Sequence, residues 1–189
     1  GVKVVVLGQG IVGVLLLQLL LQFPLAQLAA VDALADRRQR ALAIGANTVA
    51  DPTAVAELQH ALSNNGADLV YEVSGVPAAL NLAITLSGYA SRIVIGSWYG
   101  NKSAAIELGG AAHRNRLQFI TSQVSTLAPA LSGRWDKQRR FDVAWQMIRQ
   151  LKPQQWITQR AALADASTLY QQIHNGRADL LQAVFTFPT

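Results

Sequence analysis

Gly8-Gln9-Gly10-Ile11-Val12-Gly13 stands directly after the apolar run Val4–Leu7, and Asp32 follows the last of these glycines by nineteen residues. Such a set can hold a dinucleotide, and each part has a physical task. Gly8 allows a tight turn out of a strand, and Gly10 lets the backbone approach a pyrophosphate. Gly13 lets the following helix pack close to the sheet. The free N–H groups at the helix start, around Ile11 and Val12, attract the diphosphate with the helix dipole behind them. A carboxylate at Asp32, closing the second strand, accepts from the adenosine ribose hydroxyls and repels a 2′-phosphate. That favours NAD(H) over NADP(H).

Other chemistry is sparse. Gly96-Ser97-Trp98-Tyr99-Gly100 places its serine one position too early for a nucleophile elbow. His60, His113 and His174 fall on different elements, and without cysteine they form no zinc set. His60 belongs to a surface helix, and His174 lies near a helix C-terminus where a cation suits the dipole. Tyr99 and Lys102 are three residues apart, not the four of a catalytic pair on one helix. Glu72 lies inside a strand and reads as a buried, hydrogen-bonded carboxylate rather than an acid catalyst. No catalytic residue and no metal ligand is assigned.

These residues need elements to position them. With 189 residues, 51% of them hydrophobic and 14% charged, the chain can bury a substantial core in one domain or slightly more. The absence of cysteine excludes disulfides and thiolate metal sites. A net charge of +5 raises nucleic acid as a partner. The basic residues cluster at Arg37, Arg38 and Arg40, at Arg114 and Arg116, and at Arg134, Lys137, Arg139 and Arg140. No stacking motif, zinc-finger spacing or basic heptad helix accompanies them, so nucleic acid is not expected. The stretch Val4 to Phe23 is long enough for a membrane span, and Lys3 with Ala33-Leu34-Ala35 imitates a cleavable signal. Gly8 and Gly10 inside it, and the α/β pattern that follows, argue instead for strand, turn and helix. No membrane association and a cytoplasmic location are expected. The chain opens without methionine one residue before a strand, which makes a fragment of a longer protein the expectation.

The pattern predicts strands at Val2–Leu7, Gln27–Val31, Thr48–Ala50, Asp68–Val73, Arg92–Gly96 and Leu117–Ser122. Helices are expected at Ile11–Phe23, Ala35–Ile44 with Gly45 as cap, Thr53–Ser63 and Pro77–Leu86. Apolar strands alternating with helices demand a doubly wound parallel α/β sheet of about six strands, helices on both faces, with right-handed crossovers. Past Ser122 the rhythm changes to a long helix at Gln138–Leu151, a break at Pro153, a helix at Asp165–His174 and a strand at Leu180–Phe187. A dinucleotide domain over 1–151 and a C-terminal helix and strand over 152–189 are expected. Ligands of such sheets bind beyond the carboxyl ends of the strands. Those ends are Gly8–Gly13, Asp32, Val73, Ser74 and Gly75, Gly96 to Tyr99, and Ser122, Gln123 and Val124.

Several segments carry a family likeness. They are Val31-Asp32 followed by Arg37 and Ile44-Gly45-Ala46, then Asp68-Leu69-Val70-Tyr71-Glu72-Val73-Ser74-Gly75. Ile93-Val94-Ile95-Gly96-Ser97-Trp98-Tyr99-Gly100 and Phe119-Ile120-Thr121-Ser122-Gln123-Val124-Ser125 continue it. The tail from Ile157-Thr158-Gln159 through Tyr170 to Asn175-Gly176-Arg177 completes it. With them the chain resembles the cofactor-binding Rossmann domain of a medium-chain dehydrogenase/reductase, nearest to zinc-dependent alcohol, sorbitol and threonine dehydrogenases. The Ser-Trp-Tyr-Gly and Ser-Gln-Val-Ser segments are its more specific parts.

The resemblance implies that Arg37 binds the ribose with Asp32. It also implies that backbone groups at Ser97, Ser122 and Val124 hold the nicotinamide carboxamide. The basic residue that often meets the pyrophosphate from the C-terminal strand corresponds here to Gln182. NAD(H) is the implied cofactor, and zinc is implied only in an N-terminal catalytic domain of which nothing is present in these residues. The parent enzyme would transfer hydride between an alcohol or carbonyl substrate and the nicotinamide, the isolated chain being inactive. A homodimer through the sheet edge at Leu117–Ser122 is a further implication. The alternatives are the cofactor domain of a zinc-free quinone or enoyl reductase of the same superfamily, and a non-catalytic dinucleotide-sensing module.

Overall fold

A computed structural model describes residues 1–176 and 179–187, in two compact units, Gly1–Arg140 and Phe141–Thr189. In the first unit the strands β1 (Val2–Leu7), β2 (Leu25–Val31), β3 (Thr48–Ala50), β4 (Ala67–Glu72), β5 (Ser87–Ile95) and β6 (Gln118–Thr121) form one sheet. Its order is β3-β2-β1-β4-β5-β6, and every neighbouring pair is parallel. The chain winds outward from β1 to β3, returns to β4 on the other side of β1, and continues to β6. The expected doubly wound parallel sheet is therefore present, and its switch point lies between β1 and β4.

Alternation along β1 builds the two cores. Val5 and Leu7 enter a cluster with Leu58 of α3 (Val55–Ala61) and with Leu80, Ala83 and Ile84 of α4 (Ala79–Leu86). Val4 and Val6 enter a second cluster with Leu17 and Leu20 of α1 (Ile11–Leu20) and Ala41 of α2 (Ala35–Ile44). Successive strand side chains point to opposite faces, so a strand covered on both faces reads as a continuous apolar run.

Element ends differ from the sequence reading for identifiable reasons. α1 stops at Leu20, not Phe23, because Pro24 excludes helical backbone at Phe23 and the last N–H groups close a turn onto Leu17, Leu19 and Leu20. α3 starts at Val55, not Thr53, because Asp51 takes the Thr53 N–H and hydroxyl in a local turn. It ends at Ala61, not Ser63, because Ser63 and Asn64 adopt positive φ. α4 begins at Ala79 and not Pro77. β2 reaches back to Leu25, and β4 lies one residue earlier than expected. β5 begins at Ser87, five residues before Arg92, and carries an irregularity with Ala90 at positive φ. β6 is shortened by one residue at each end, and all four of its residues are exposed rather than buried.

The unit boundary at Arg140/Phe141 falls inside α5 (Lys137–Leu151). In the second unit β7 (Gln159–Ala162), unforeseen from the sequence, pairs in parallel with β8 (Ala183–Thr186), which is shorter than Leu180–Phe187. α6 (Ala166–His174) connects them, and Tyr170 packs against Phe185 with ring centroids 6.3 Å apart. Arg177 lies outside the described residues.

Candidate functional site

β1 delivers Gly8 at its carboxyl end, where the chain must turn between two neighbours. Its N–H bonds the Val31 carbonyl at 2.8 Å, and φ is +96°, a conformation that favours glycine. A Cβ there would lie 2.5 Å from Ser74 Cα. Gly13, in the first turn of α1, faces the Gly8 carbonyl so closely that a Cβ would overlap its oxygen. Gly10 differs from both. A Cβ on Gly10 would meet nothing nearer than Arg37 Nη1 at 3.9 Å, so open space lies in front of its backbone.

That space belongs to a cavity of about 620 Å³ beyond the strand ends. Gly8, Gly10, Asp32, Arg37, Val73 and Ser74 line it on the polar side. Leu34, Pro52, Val76, Ala79 and Leu82 form an apolar wall that sequence reasoning did not single out. Gly13 packs behind the cradle, Ile11 is half-buried, and Val12 is exposed on the outer face of α1.

Asp32 is 9% exposed at the end of β2. Its Oδ2 accepts the Gln9 N–H at 2.7 Å and faces Arg37 Nη1 at 3.7 Å, while Oδ1 accepts the Leu34 N–H at 2.9 Å. Arg38 turns away from the carboxylate, donating to the Asp32 and Ala33 carbonyls and pairing with Asp51 at 3.2 Å. Hydrogen bonds from Thr53, first its N–H and then its hydroxyl, hold the Asp51 carboxyl below the usual carboxylate range. Buried Arg37 Nε and Gln9 Oε1 have no partner in the protein.

The ends of β4 and β5 are tied together by a fully buried carboxylate. Glu72 Oε1 accepts the Ser74 N–H at 2.8 Å and the Ser74 hydroxyl, and Oε2 accepts the Tyr99 hydroxyl. Gly96 and Ser97 donate their N–H groups to the Glu72 carbonyl at 2.9 and 3.1 Å. The Ser97 hydroxyl oxygen accepts the Gly75 N–H at 2.8 Å, and Lys102 donates to the Gly75 carbonyl at 3.0 Å. Burial, together with the Glu72 carboxylate, pushes the Tyr99 hydroxyl well above its ordinary value. Tyr99 and Lys102 thus serve the strand ends rather than each other. Glu72 is the buried, bonded carboxylate that the sequence suggested.

Ser122, Gln123 and Val124 follow β6 outside the lining of the cavity, and all three are exposed. The Ser122 N–H donates to the Ile95 carbonyl at 2.8 Å, and Gln123 Oε1 caps the next turn through the Ser125 and Thr126 N–H groups. His60, His113 and His174 are exposed. Gln182 is half-buried and donates to the Ala183 carbonyl. Among the described residues no three His, Cys, Asp or Glu side chains gather to hold a metal ion. No helix there is long and apolar enough to cross a membrane.

The profile of one protein family, described as zinc-binding dehydrogenase, matches residues 12–139, well over half of the chain. D-guloside 3-dehydrogenase of Escherichia coli K12 is 26% identical over 148 residues, which are 77% of this chain and 42% of that protein. An alcohol dehydrogenase from Thermus sp. ATN1 superposes with a TM-score of 0.78 at 21% identity, covering 100% of this chain and 52% of that one. A structure from E. coli CFT073, titled a short chain alcohol dehydrogenase complexed with NADH, gives 0.78 at 17% identity, covering 99% and 52%. The chain spans about half the length of the solved structures it matches and less than half of the curated relative.

Proposed function

The chain belongs to the zinc-binding dehydrogenase family, and we propose that it is the NAD(H)-binding unit of an alcohol or polyol oxidoreductase. The observation that carries the reading is the buried Asp32 carboxylate beside the open backbone of Gly10, at the switch point of a parallel sheet. A carboxylate there suits ribose hydroxyls and repels the extra phosphate of NADPH. Gly10 leaves a gap that a side chain would fill, and Arg37 keeps an unpartnered N–H in the cavity wall. The residues present therefore fit the cofactor.

When bound, the nicotinamide ring supplies the hydride chemistry. The chain's residues bind and orient it. N–H groups of the Gly8–Gly13 cradle hold the diphosphate, Asp32 and Arg37 hold the ribose, and the wall of Leu34, Pro52, Val76 and Ala79 takes the adenine. Ser97, Ser122 and Val124 hold the carboxamide through backbone groups, with Gly96 and Gln123 shaping those loops. The alcohol or carbonyl substrate, and the zinc of the family's name, fall to residues beyond this unit, and no proton step is assigned within it.

We further propose a homodimer through β6, an edge strand with Phe119 38% and Ile120 40% exposed, and a cytoplasmic location. Fluorescence titration tests the central reading: NADH binds more tightly than NADPH. Equal affinities for the two cofactors refute it.

A further inference from the structure

The geometry points to Glu72 as a positioning residue that couples the two halves of the dinucleotide site, with Tyr99 as its lever on the nicotinamide half. This rests on the NAD(H) reading above. Glu72 is completely buried at the end of β4, in the middle of the sheet. A buried carboxylate survives there only if its oxygens are well supplied with donors. Its donors come from two places that no local segment joins. Ser74 supplies an N–H and a hydroxyl to Oε1, and Ser74 lines the cavity that we assign to the adenosine half. Tyr99 supplies its hydroxyl to Oε2 from the loop after β5, which we assign to the nicotinamide half.

The same two segments are stitched again by Ser97 to Gly75 and by Lys102 to Gly75. One side chain thus fixes the β4 end directly and the β5 loop through a single hydroxyl. A site whose loops are ordered before binding avoids the entropic cost of ordering them on binding. Glu72 touches neither half of the ligand in this assignment. It acts through Ser74 and Tyr99.

The two contacts can be cut separately. Tyr99→Phe keeps the ring and removes only the hydroxyl that reaches Glu72. It should weaken NADH binding about tenfold, the effect of re-ordering a loop residue on binding, and leave ADP binding within about twofold. Glu72→Gln loses the charge that strengthens the bonds to both segments and replaces one of the two acceptor oxygens with an amide group, and should weaken NADH and ADP alike, by about tenfold or more. NADH affinity is read by fluorescence and ADP affinity by competition, with thermal melting run on each variant. A merely structural role lowers the melting temperature of Tyr99→Phe without moving its NADH-to-ADP affinity ratio, and that result overturns the inference. Should Glu72→Gln fail to fold, the ratio in Tyr99→Phe decides alone. An unmodified chain that binds neither ligand overturns the NAD(H) reading together with this one. An unmodified chain that binds both, with a Tyr99→Phe ratio unchanged, overturns this one only.

Discussion

Gly10 and Gly13 lie three residues apart in one motif, yet the structure gives them opposite burdens, and two substitutions separate these. A Cβ at Gly13 overlaps the Gly8 carbonyl oxygen and sits 3.0 Å from its carbon. That carbonyl cannot swing aside, because Gly8 is pinned by its bond to Val31 and pressed against Ser74. Relief must come from α1 withdrawing by about 1 Å, which loosens the contacts of Val14, Leu17 and Leu20 beneath it. Overpacking costs roughly 1–3 kcal/mol, and a backbone obstacle places Gly13→Ala near 3 kcal/mol. For a chain of this size that is a fall of about 6–12 °C in melting temperature. Gly10 has φ −70°, which any residue adopts, and open space before it. Gly10→Val should therefore keep its stability within about 1 kcal/mol while its branched side chain stands where the diphosphate must approach. Calorimetry and NADH titration on both variants read the contrast. Gly13→Ala melting within about 2 °C of the unmodified chain, or Gly10→Val binding NADH undiminished, refutes the reasoning.

Three further outcomes follow from the same geometry. Asp32→Ala narrows the NADH-to-NADPH preference in fluorescence titration. It also orphans the Gln9 and Leu34 N–H groups, costing about 1–3 kcal/mol in a denaturant melt; an unchanged preference counts against Asp32 as the selector. Tyr99, raised from its ordinary 10.0 chiefly by burial and then by Glu72, stays protonated in the folded chain when an exposed tyrosine ionises. Its contribution is thus complete below pH 10 and is lost as pH rises beyond it, because the unfolded chain gives up the proton first. Alkaline difference absorbance should show a late-titrating tyrosine component, and Tyr99→Phe should remove it. Replacing exposed Phe119 and Ile120 with lysine on the β6 edge should turn a dimer into monomer in sedimentation at tens of micromolar; an unmodified chain that is already monomeric there refutes the edge pairing.

The fold was legible where an element carries its own signal. β1, α2 and β3 have the expected ends, since apolar runs and the Gly45 cap mark them locally. The first half of β5, Ser87 to Ser91, was invisible because the small residues Ser87, Gly88, Ala90 and Ser91 around the single Tyr89 have no strand signature. What holds it is remote: the Ser91 hydroxyl bonds the Ala67 carbonyl on the neighbouring strand. β7 escaped notice for a similar reason, being four residues without alternation that exist only through pairing with β8. β6 shows the converse. Its apolar residues read as a buried strand, but as an edge strand it pairs on one side only and stays exposed.

The candidate site divides along the same line. Gly8, Gly13 and Asp32 could be read because their tasks are set by a turn, a helix start and a strand end, all written within a few residues. The Glu72 bracket could not, since its partner Tyr99 lies 27 residues away, and Ser97 reaches Gly75 across 22. Those distances close only when β4 and β5 align with Glu72 opposite Ile95. A carboxylate at the buried end of β4, directly after Leu69, Val70 and Tyr71, was the one local sign, for such a charge must be met by donors from somewhere. The sequence therefore announces that a bracket exists and withholds its partners. The register of two strands supplies them, and in doing so places the wall of the cavity beyond the strand ends and the loop beyond β5 under one side chain.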